Sequence, residues 1–403
     1  MKKLGLLPRL VLGIVLGMVI GYWGPVWIVR SLVTFNGLFG NFLNFVIPLI
    51  IMGFVIPGIA DLGKEAGKTL AITAALAYLS TVAFGVATYL TGQVVLPHFI
   101  TKGAISFNPD QNAAKLLEPF FSSPMEPIFS VTTALILSFI LGVGIAACEA
   151  QALKKGVHEF ADIITKLIAS IIIPFLPVHI AGIFANMTFQ RTVFVVLSVF
   201  SKVFVMVILL HWATILIQYG LASAIGGGSV WSKLRTIFPA YMTAIGTQSS
   251  AATIPVTLRQ TYKMGVNKGI ADFVIPLCAT IHLSGSTITL TSCTMAILML
   301  QGADVSFAKI FLFILMLGVT MVAAPGVPGG AVMAALGILQ SMLAFTEPMT
   351  ALIIALYVAQ DSFGTACNVT GDAAIACIVN KIHGYTLDPK ANEEYIEDFN
   401  TAE

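Results

Sequence analysis

The chain has 403 residues, of which 57% are hydrophobic and only 10% are charged, and its mean hydropathy is +0.93. A soluble globular protein carries about 25% charged residues, so this composition excludes a soluble multidomain protein, a coiled coil and a nucleic-acid-binding module. The formal net charge of +2 is too small to indicate an acidic partner. The composition therefore indicates a polytopic membrane protein.

Long runs without charged residues have the length of membrane spans, which need about 20 apolar residues. The first half of the sequence predicts spans near 8–33, 36–60, 69–94, 127–148, 158–186 and 192–225. The second half gives more interrupted apolar stretches near 236–257, 269–298, 306–342 and 347–380. No cleavable signal peptide is expected, because the first apolar segment continues as a full span.

The lysines and arginines of short loops predict the orientation, since these residues favour the cytoplasmic side. If the spans alternate, one side receives Lys2, Lys3, Arg9, Lys64, Lys68, Lys154, Lys155, Lys233 and Arg235. This side is richer in positive charge than the other, so we expect the amino terminus and the tail 386–403 to be cytoplasmic. The long polar connection 94–127 is expected on the outside.

Two apolar stretches are interrupted in the middle by residues that a simple spanning helix does not tolerate. Residues 246–250 (Gly-Thr-Gln-Ser-Ser) lie between Arg235 and Arg259, which both favour the cytoplasm, so we predict a re-entrant hairpin over 233–258. Residues 324–330 (Ala-Pro-Gly-Val-Pro-Gly-Gly) cannot continue a helix, and they predict a second hairpin over 306–342. Two interrupted segments of this kind point to a transporter binding site.

The last apolar stretch carries polar residues at membrane depth. Asp361, Thr365, Asn368 and Asp372 are spaced by four, three and four residues, which places them on one face of a helix. A carboxylate at the centre of a bilayer is unfavourable and usually marks a substrate or ion path. The pattern therefore predicts a binding site on this helix face.

Two less functional interpretations stay open on the sequence. The two aspartates could instead form structural pairs with a buried cation, for which Lys166 and Lys202 are the candidates. His282 could be a hydrogen-bonded core histidine, although its position before Ser284 and Ser286 also suits a site.

The five cysteines are odd in number and have no metal-binding spacing, so we expect neither a disulfide framework nor a zinc site. Buried small hydrophobic residues are the expected role. The sequence also lacks the motif of a zinc metalloprotease and a phosphate-binding loop with lysine.

Four motifs occur in order along the second half of the chain. They are 249–256 (Ser-Ser-Ala-Ala-Thr-Ile-Pro-Val), 279–286 (Ala-Thr-Ile-His-Leu-Ser-Gly-Ser), 326–329 (Gly-Val-Pro-Gly) and 361–372. Together they resemble the dicarboxylate/amino acid:cation symporters, the family of glutamate and neutral amino acid transporters. The resemblance extends over essentially the whole chain.

The resemblance implies an all-α polytopic fold of eight transmembrane helices and two re-entrant helical hairpins, assembled as a homotrimer. It implies a scaffold domain, formed by 1–68 (spans one and two) and 127–190 (spans four and five). It further implies a transport domain that moves like an elevator, formed by 69–126 and 191–385, in which span seven covers 269–298 and span eight 347–380. The second hairpin would be the extracellular gate, with Gly326, Val327, Pro328 and Gly329 at its tip.

The resemblance also assigns substrate contacts. It implies that Asp361 receives the α-ammonium group of an amino acid and that Asn368 and Ser250 contact its α-carboxylate. The other expected substrate contacts are Ser249, Ser286, Val327, Gly364 and Thr365. Members that carry acidic substrates place an arginine where this chain has Gly364, so we predict a neutral amino acid as substrate.

The coupling cation, Na+ or H+, is the only cofactor expected. The positions that the resemblance assigns to cation binding are Ser80, Thr81, Cys278, Thr280, His282, Ser284, Met321, Val322, Ala324, Asn368 and Asp372. His282 and Ser284 replace an asparagine and an aspartate of the family, which removes a hard oxygen ligand, while an imidazole can carry a proton. Sodium coupling with fewer ions, proton coupling and uncoupled exchange all stay open.

A cation-driven symporter of neutral amino acids is the predicted function, and an enzyme is not expected. An acidic amino acid or dicarboxylate symporter of the same family and a channel-like anion-conducting pore are the alternatives. An intramembrane hydrolase using Ser250 and His282 is a third alternative, but a nucleophile needs its base within hydrogen-bond reach. The expected partners are the amino acid, the coupling cation and the lipid bilayer, and no nucleic acid.

Overall fold

The computed structural model describes residues 6–61, 67–105, 117–191, 193–321, 324 and 328–392. Every regular element in these residues is helical. The α-helices are α1 Leu6–Trp23, α2 Val26–Asp61, α3 Gly67–Val95, α4 Val131–Cys148, α5 Gln151–Leu167, α6 Ile173–Phe189, α7 Val193–Gly226, α8 Val230–Thr247, α9 Ser250–Lys263, α10 Lys268–Ile281, α11 Ser284–Gln301, α12 Phe307–Met321, α13 Gly330–Leu343 and α14 Glu347–Ile382. Short 3-10 turns follow at Leu96–His98 and Pro389–Asn392.

The boundary between the first two helices differs from the prediction, which ended the first span near residue 33. The chain breaks at Gly24 and Pro25, so α1 ends at Trp23 and α2 begins at Val26. Proline has no backbone N–H and disfavours the helical conformation of the residue before it, which explains the break at this position. The predicted spans 8–33 and 36–60 are therefore wrong at this boundary.

The helices α5 and α6 form one continuous helical segment, because a π-helical turn at Ile168–Ile172 joins them. Pro174 lies in the first turn of α6 and cannot donate a hydrogen bond to the carbonyl one turn earlier, which accounts for the irregular turn. The combined segment Gln151–Phe189 is long enough to cross a membrane at a tilt.

Within the described residues, six helical segments are long and apolar enough to span a membrane. They are Val26–Pro57, Lys68–His98, Gln151–Phe189, Val193–Gly226, Lys268–Gln301 and Glu347–Ile382. Shorter apolar helices lie at Pro8–Trp23, Ile136–Cys148, Phe307–Met321 and Gly330–Leu343. The all-α fold that the resemblance implies is confirmed for the described residues, and these apolar helices agree with the polytopic membrane protein that the composition indicates.

Three interruptions shape the second half of the chain. The first separates α8 from α9 at Gln248 and Ser249, where Gln248 has a positive φ of 52°. The second is an extended segment at His282 and Leu283 between α10 and α11. The third lies between α12 and α13 and begins after Met321. Each break leaves backbone groups at helix ends without intrahelical partners.

Helix α14 lies at the centre of the second half and is buried along almost its whole length. It packs mainly against α7, α8, α9, α10, α11 and α13, and α3 packs against α11. The helices α1, α2, α4, α5 and α6 pack mainly with one another. Polar side chains on a helix that is buried on all sides need hydrogen-bond partners on neighbouring elements. The polar side chains of α14 and their partners therefore form the candidate site.

Candidate functional site

The site is built on one face of α14. Asp361, Thr365, Asn368 and Asp372 are all buried on this helix, with at most 5% of each residue exposed. The predicted helical stripe is therefore present, and each of its carboxyl and amide groups finds a partner on another element.

Asp361 is joined to the start of α13. The backbone N–H of Gly329 donates to Oδ2 of Asp361 over 2.7 Å, and the hydroxyl of Thr365 lies 3.4 Å from Oδ1. Gly329 has a positive φ of 75°, a conformation that favours glycine. The second interrupted helix pair thus delivers a backbone amide directly to the carboxylate.

Asn368 is joined to the start of α11. Its Oδ1 accepts from the backbone N–H of Gly285 over 2.7 Å, and its Nδ2 donates to the hydroxyl of Ser286 over 3.0 Å. The hydroxyl of Tyr357 donates to the same Ser286 oxygen over 2.9 Å. The break before Ser284 makes this possible, because the first backbone N–H groups of a helix have no partner within the helix.

The helices α11 and α14 touch backbone to backbone at two glycines. A Cβ atom added to Gly285 would lie only 2.4 Å from the carbonyl oxygen of Gly364, whereas one added to Gly364 would lie at least 3.6 Å from its neighbours. Gly285 is therefore required for the close approach. Gly364 has ordinary van der Waals room for a small side chain.

Asp372 pairs with His282. Nδ1 of His282 lies 2.9 Å from Oδ1 of Asp372, and the two side chains are 0% and 1% exposed. Nε2 of His282 lies 3.0 Å from the hydroxyl of Ser80 and 3.3 Å from the amide nitrogen of Gln218. The imidazole therefore links α3, α7 and α14 at the break between α10 and α11.

These contacts decide between the interpretations that the sequence left open. In the described part of the chain, neither Asp361 nor Asp372 pairs with Lys166 or Lys202, and the Lys202 amine lies 5.6 Å from the ring centre of Phe99. The two aspartates are thus not structural partners of those lysines. His282 is indeed a hydrogen-bonded buried histidine, but its partner is a candidate site carboxylate.

The first helix pair contributes its serines at the start of α9, which packs against α14. Ser249 caps α9, since its hydroxyl accepts from the backbone N–H of Ala252 over 3.2 Å. Ser250 is the first residue of α9 and is buried.

The remaining predicted positions are more scattered. The hydroxyl of Thr280 is exposed and donates to the carbonyl of Leu277 on its own helix, while Cys278 is buried and its carbonyl accepts from the N–H of His282. Thr81 is buried and donates to the carbonyl of Ala77. The carbonyl of Met321 accepts from the N–H of Ala324. Ser284 is buried, and its hydroxyl lies 3.4 Å from the Gln218 amide nitrogen.

Among the predicted gate positions, Pro328 and Gly329 form a turn before α13. The predicted positions Val322, Gly326 and Val327 lie outside the described residues.

Three residues of the site were not identified from the sequence. Tyr357 lies one helical turn before Asp361, and His211 and Gln218 lie seven residues apart in α7. Nε2 of His211 donates to the carbonyl of Gly285 over 3.0 Å. The spacing of these two large polar side chains in a mainly apolar span was a usable signal, because such residues usually face the interior of a helical bundle.

Three of the side-chain oxygens expected near a bound sodium ion are already engaged in hydrogen bonds. Oδ1 of Asp372 accepts from His282, Oδ1 of Asn368 accepts from Gly285, and the Ser80 oxygen is bonded to the imidazole. A hard cation requires several oxygen atoms that converge on one point. The described residues also contain no group of three or more acidic, histidine or cysteine side chains that could hold a metal ion.

Buried carboxylates, broken helices and backbone amides at membrane depth together define a membrane transporter with an internal site. The chain belongs to the sodium:dicarboxylate symporter family, whose model matches residues 6–382. It is therefore a transporter and not an enzyme, which removes the hydrolase alternative.

Among characterised proteins, the chain is similar to serine/threonine transporters. It is 24% identical over 394 residues to the serine/threonine transporter SstT of Acinetobacter baumannii strain AYE, with 94% of this chain and 97% of that protein covered. The SstT proteins of strains AB307-0294 and AB0057 match with the same identity and coverage.

Proposed function

We propose that this protein is a secondary active transporter of neutral amino acids of the serine/threonine type, driven by a sodium or proton gradient. Its place is the cell (inner) membrane. The observation that carries the proposal is the alignment of Asp361 and Asn368 on one buried face of α14. Each of them faces the start of a broken helix, α13 for Asp361 and α11 for Asn368.

This arrangement suits the zwitterionic end of an amino acid. In the proposal, the Asp361 carboxylate receives the α-ammonium group, since charge-assisted hydrogen bonds are the stronger ones. The amide of Asn368 and the hydroxyls of Ser250 and Ser286 receive the α-carboxylate. Gly329 donates to Asp361 and Tyr357 donates to Ser286, so in the proposal the amino acid exchanges one set of hydrogen bonds for another.

A neutral side chain agrees with the surroundings of Gly364. No guanidinium group projects from this position to receive a second carboxylate, and a carboxylate is best bound by the planar fork of arginine. The backbone of Ser286 lies beside Gly364, and the Ser286 hydroxyl accepts a hydrogen bond from the Tyr357 hydroxyl over 2.9 Å. Hydroxyl groups of this kind suit a serine or threonine side chain, and the name of the similar transporters agrees with such a substrate.

For the transport movement we propose an elevator mechanism in a homotrimer. The pairs α8–α9 and α12–α13 would be the re-entrant hairpins, and the tip of the second, which includes Pro328 and Gly329, would be the gate. The helices α1, α2, α4, α5 and α6 pack mainly with one another, which supports a scaffold distinct from a transport domain. We also propose that Thr280 and the backbone carbonyls near Met321 and Ala324 bind a coupling cation. The termini would be cytoplasmic.

Substrate binding by the purified protein tests the proposal. Titration calorimetry with serine, threonine, alanine, aspartate and glutamate, in both sodium and choline buffers, should give saturable binding of serine and threonine. Aspartate and glutamate should give none. Tight binding of aspartate with no response to serine would favour the acidic-substrate alternative. No response to any amino acid would favour the pore.

A further inference from the structure

The His282 imidazole fills the space between three helices at the level of Asp372. Both ring nitrogens have partners: Nδ1 lies 2.9 Å from the Asp372 carboxylate, and Nε2 lies 3.0 Å from the Ser80 hydroxyl. Since a carboxylate only accepts hydrogen bonds, Nδ1 is the donor in the first contact. The amide nitrogen of Gln218 lies within 3.4 Å of Ser80, His282 and Ser284, so it holds the ring from the side of α7.

The neighbouring helix leaves room for this ring. A Cβ atom added to Gly371 would lie 2.6 Å from Cε1 of His282 and 2.6 Å from Oε1 of Gln218. Any side chain at position 371 would therefore displace the imidazole or the amide. Glycine at position 371 thus leaves the space that the His282 ring occupies next to Asp372.

We propose that the His282 side chain takes the place of a sodium ion between the α10–α11 break and α14, so that this junction closes through hydrogen bonds without bound sodium. The inference rests on the proposed function. It adds that the cation position beside Asp372, which the family resemblance implies, is filled by the His282 side chain. A transport cycle of this protein would then use no sodium at Asp372. Any sodium that it couples would bind elsewhere.

The oxygen atoms around the ring support this assignment. Oδ1 of Asp372, Oδ1 of Asn368 and the Ser80 hydroxyl already have hydrogen-bond partners at 2.7–3.0 Å. Gln218 Oε1 is a buried oxygen beside the ring that has no partner among the described residues. It lies on the side of Gly371, and a single oxygen does not form the coordination shell of a hard cation.

The experiment measures thermal unfolding of the purified full-length protein in detergent, without substrate, in sodium, potassium and choline chloride at equal ionic strength. Three proteins are compared: the wild type, Ser80→Ala, and the double variant His282→Asn with Ser284→Asp. The double variant carries the asparagine and aspartate that the family has at these positions. Ser80→Ala removes one partner of the ring and leaves Asp372 intact.

We expect the double variant to gain a rise in unfolding temperature in sodium beyond that of the wild type. Ser80→Ala should lower the unfolding temperature by the same amount in all three salts. A Ser80→Ala loss that appears only in sodium chloride would overturn the proposal, because it would show a sodium ion that uses the Ser80 oxygen. This comparison remains decisive if the double variant does not fold.

The result is independent of the substrate. Because no amino acid is present, a failure of the serine-binding experiment would disprove the proposed function without changing these unfolding temperatures. Conversely, a sodium-specific loss in Ser80→Ala would disprove the histidine substitution and leave the transport of neutral amino acids intact.

Discussion

At the scale of single residues, Asp361 and Asp372 have different surroundings although they lie on the same helix face. Asp361 receives a backbone N–H from Gly329 and a weak contact from Thr365. Asp372 is paired with the imidazole of His282. Asp361 therefore contacts the backbone at the start of α13, which follows a helix break. Asp372 instead contacts the His282 side chain, whose other ring nitrogen is also hydrogen-bonded. This difference favours Asp361 as the substrate contact.

Replacing Asp361 with asparagine should abolish amino acid binding, because the neutral amide cannot form the charge-assisted bond to an ammonium group. Hydrogen bonds to charged groups contribute about 1.5–3 kcal/mol, so affinity should fall by at least tenfold in titration calorimetry. Thr370→Ser, which lies on the same helix and keeps its hydroxyl, is the control. Unchanged affinity in Asp361→Asn would show that the ammonium contact is elsewhere.

The two glycines of α14 should respond differently to alanine. Gly371→Ala places a Cβ atom 2.6 Å from both His282 and Gln218, whereas Gly364→Ala places it 3.6 Å from its nearest neighbour. Overpacking of this kind costs about 1–3 kcal/mol. Gly371→Ala should therefore unfold at a lower temperature than Gly364→Ala, and equal unfolding temperatures would contradict the tight packing of the imidazole.

The spacing of Asp361, Thr365, Asn368 and Asp372 predicted the helical stripe of the site from the sequence alone, because residues three and four apart share a helix face. The partners of that stripe could not be predicted in the same way. Gln218 and Ser80 reach His282 from two other helices, and only the packing of those helices brings them together. Local periodicity contains no information on such contacts.

At the scale of helices, breaks and close contacts both depend on small residues and prolines. The breaks inside the apolar stretches near 236–257 and 306–342 were predicted, since residues 324–330 contain two prolines and three glycines. The end of the first helix, which the break at Gly24 and Pro25 sets at Trp23, was predicted ten residues too late, at 33. An apolar run continues across Pro25, so hydropathy alone could not show where α1 ends.

Helix α1 packs on α6 through three glycines. A Cβ atom on Gly13, Gly17 or Gly21 would lie 2.6, 2.3 or 2.3 Å from a backbone carbonyl oxygen of α6. Glycines four residues apart let the backbones of membrane helices approach closely. The contact therefore allows no side chain at these positions.

Gly17→Ala should destabilise the protein by separating α1 from α6. Gly220→Ala is the matched control, because a Cβ atom there meets nothing within 4 Å. In a helix interior, alanine is favoured over glycine by about 1 kcal/mol, so the control should be neutral or stabilised. Thermal unfolding in detergent measures both variants. A Gly17→Ala protein as stable as its control would contradict the close α1–α6 contact.

At the scale of the whole molecule, composition predicted a polytopic membrane protein and the family resemblance implied an all-α fold. The described residues form only helices, and six segments are long and apolar enough to span a membrane. The division into scaffold and transport domains, the trimer and the elevator movement come from family resemblance and remain proposals. They cannot be read from hydropathy, because a span that moves and a span that stays fixed have the same apolar composition. The packing of α14 mainly against helices of the second half supports the division into two domains.

Uptake of labelled serine into proteoliposomes, with sodium and proton gradients imposed separately, tests the proposed function most directly. We expect saturable uptake driven by at least one gradient, exchange of labelled serine against internal unlabelled serine, and loss of both in Asp361→Asn. Ion current that does not depend on amino acids, with no saturation and no exchange, would contradict it.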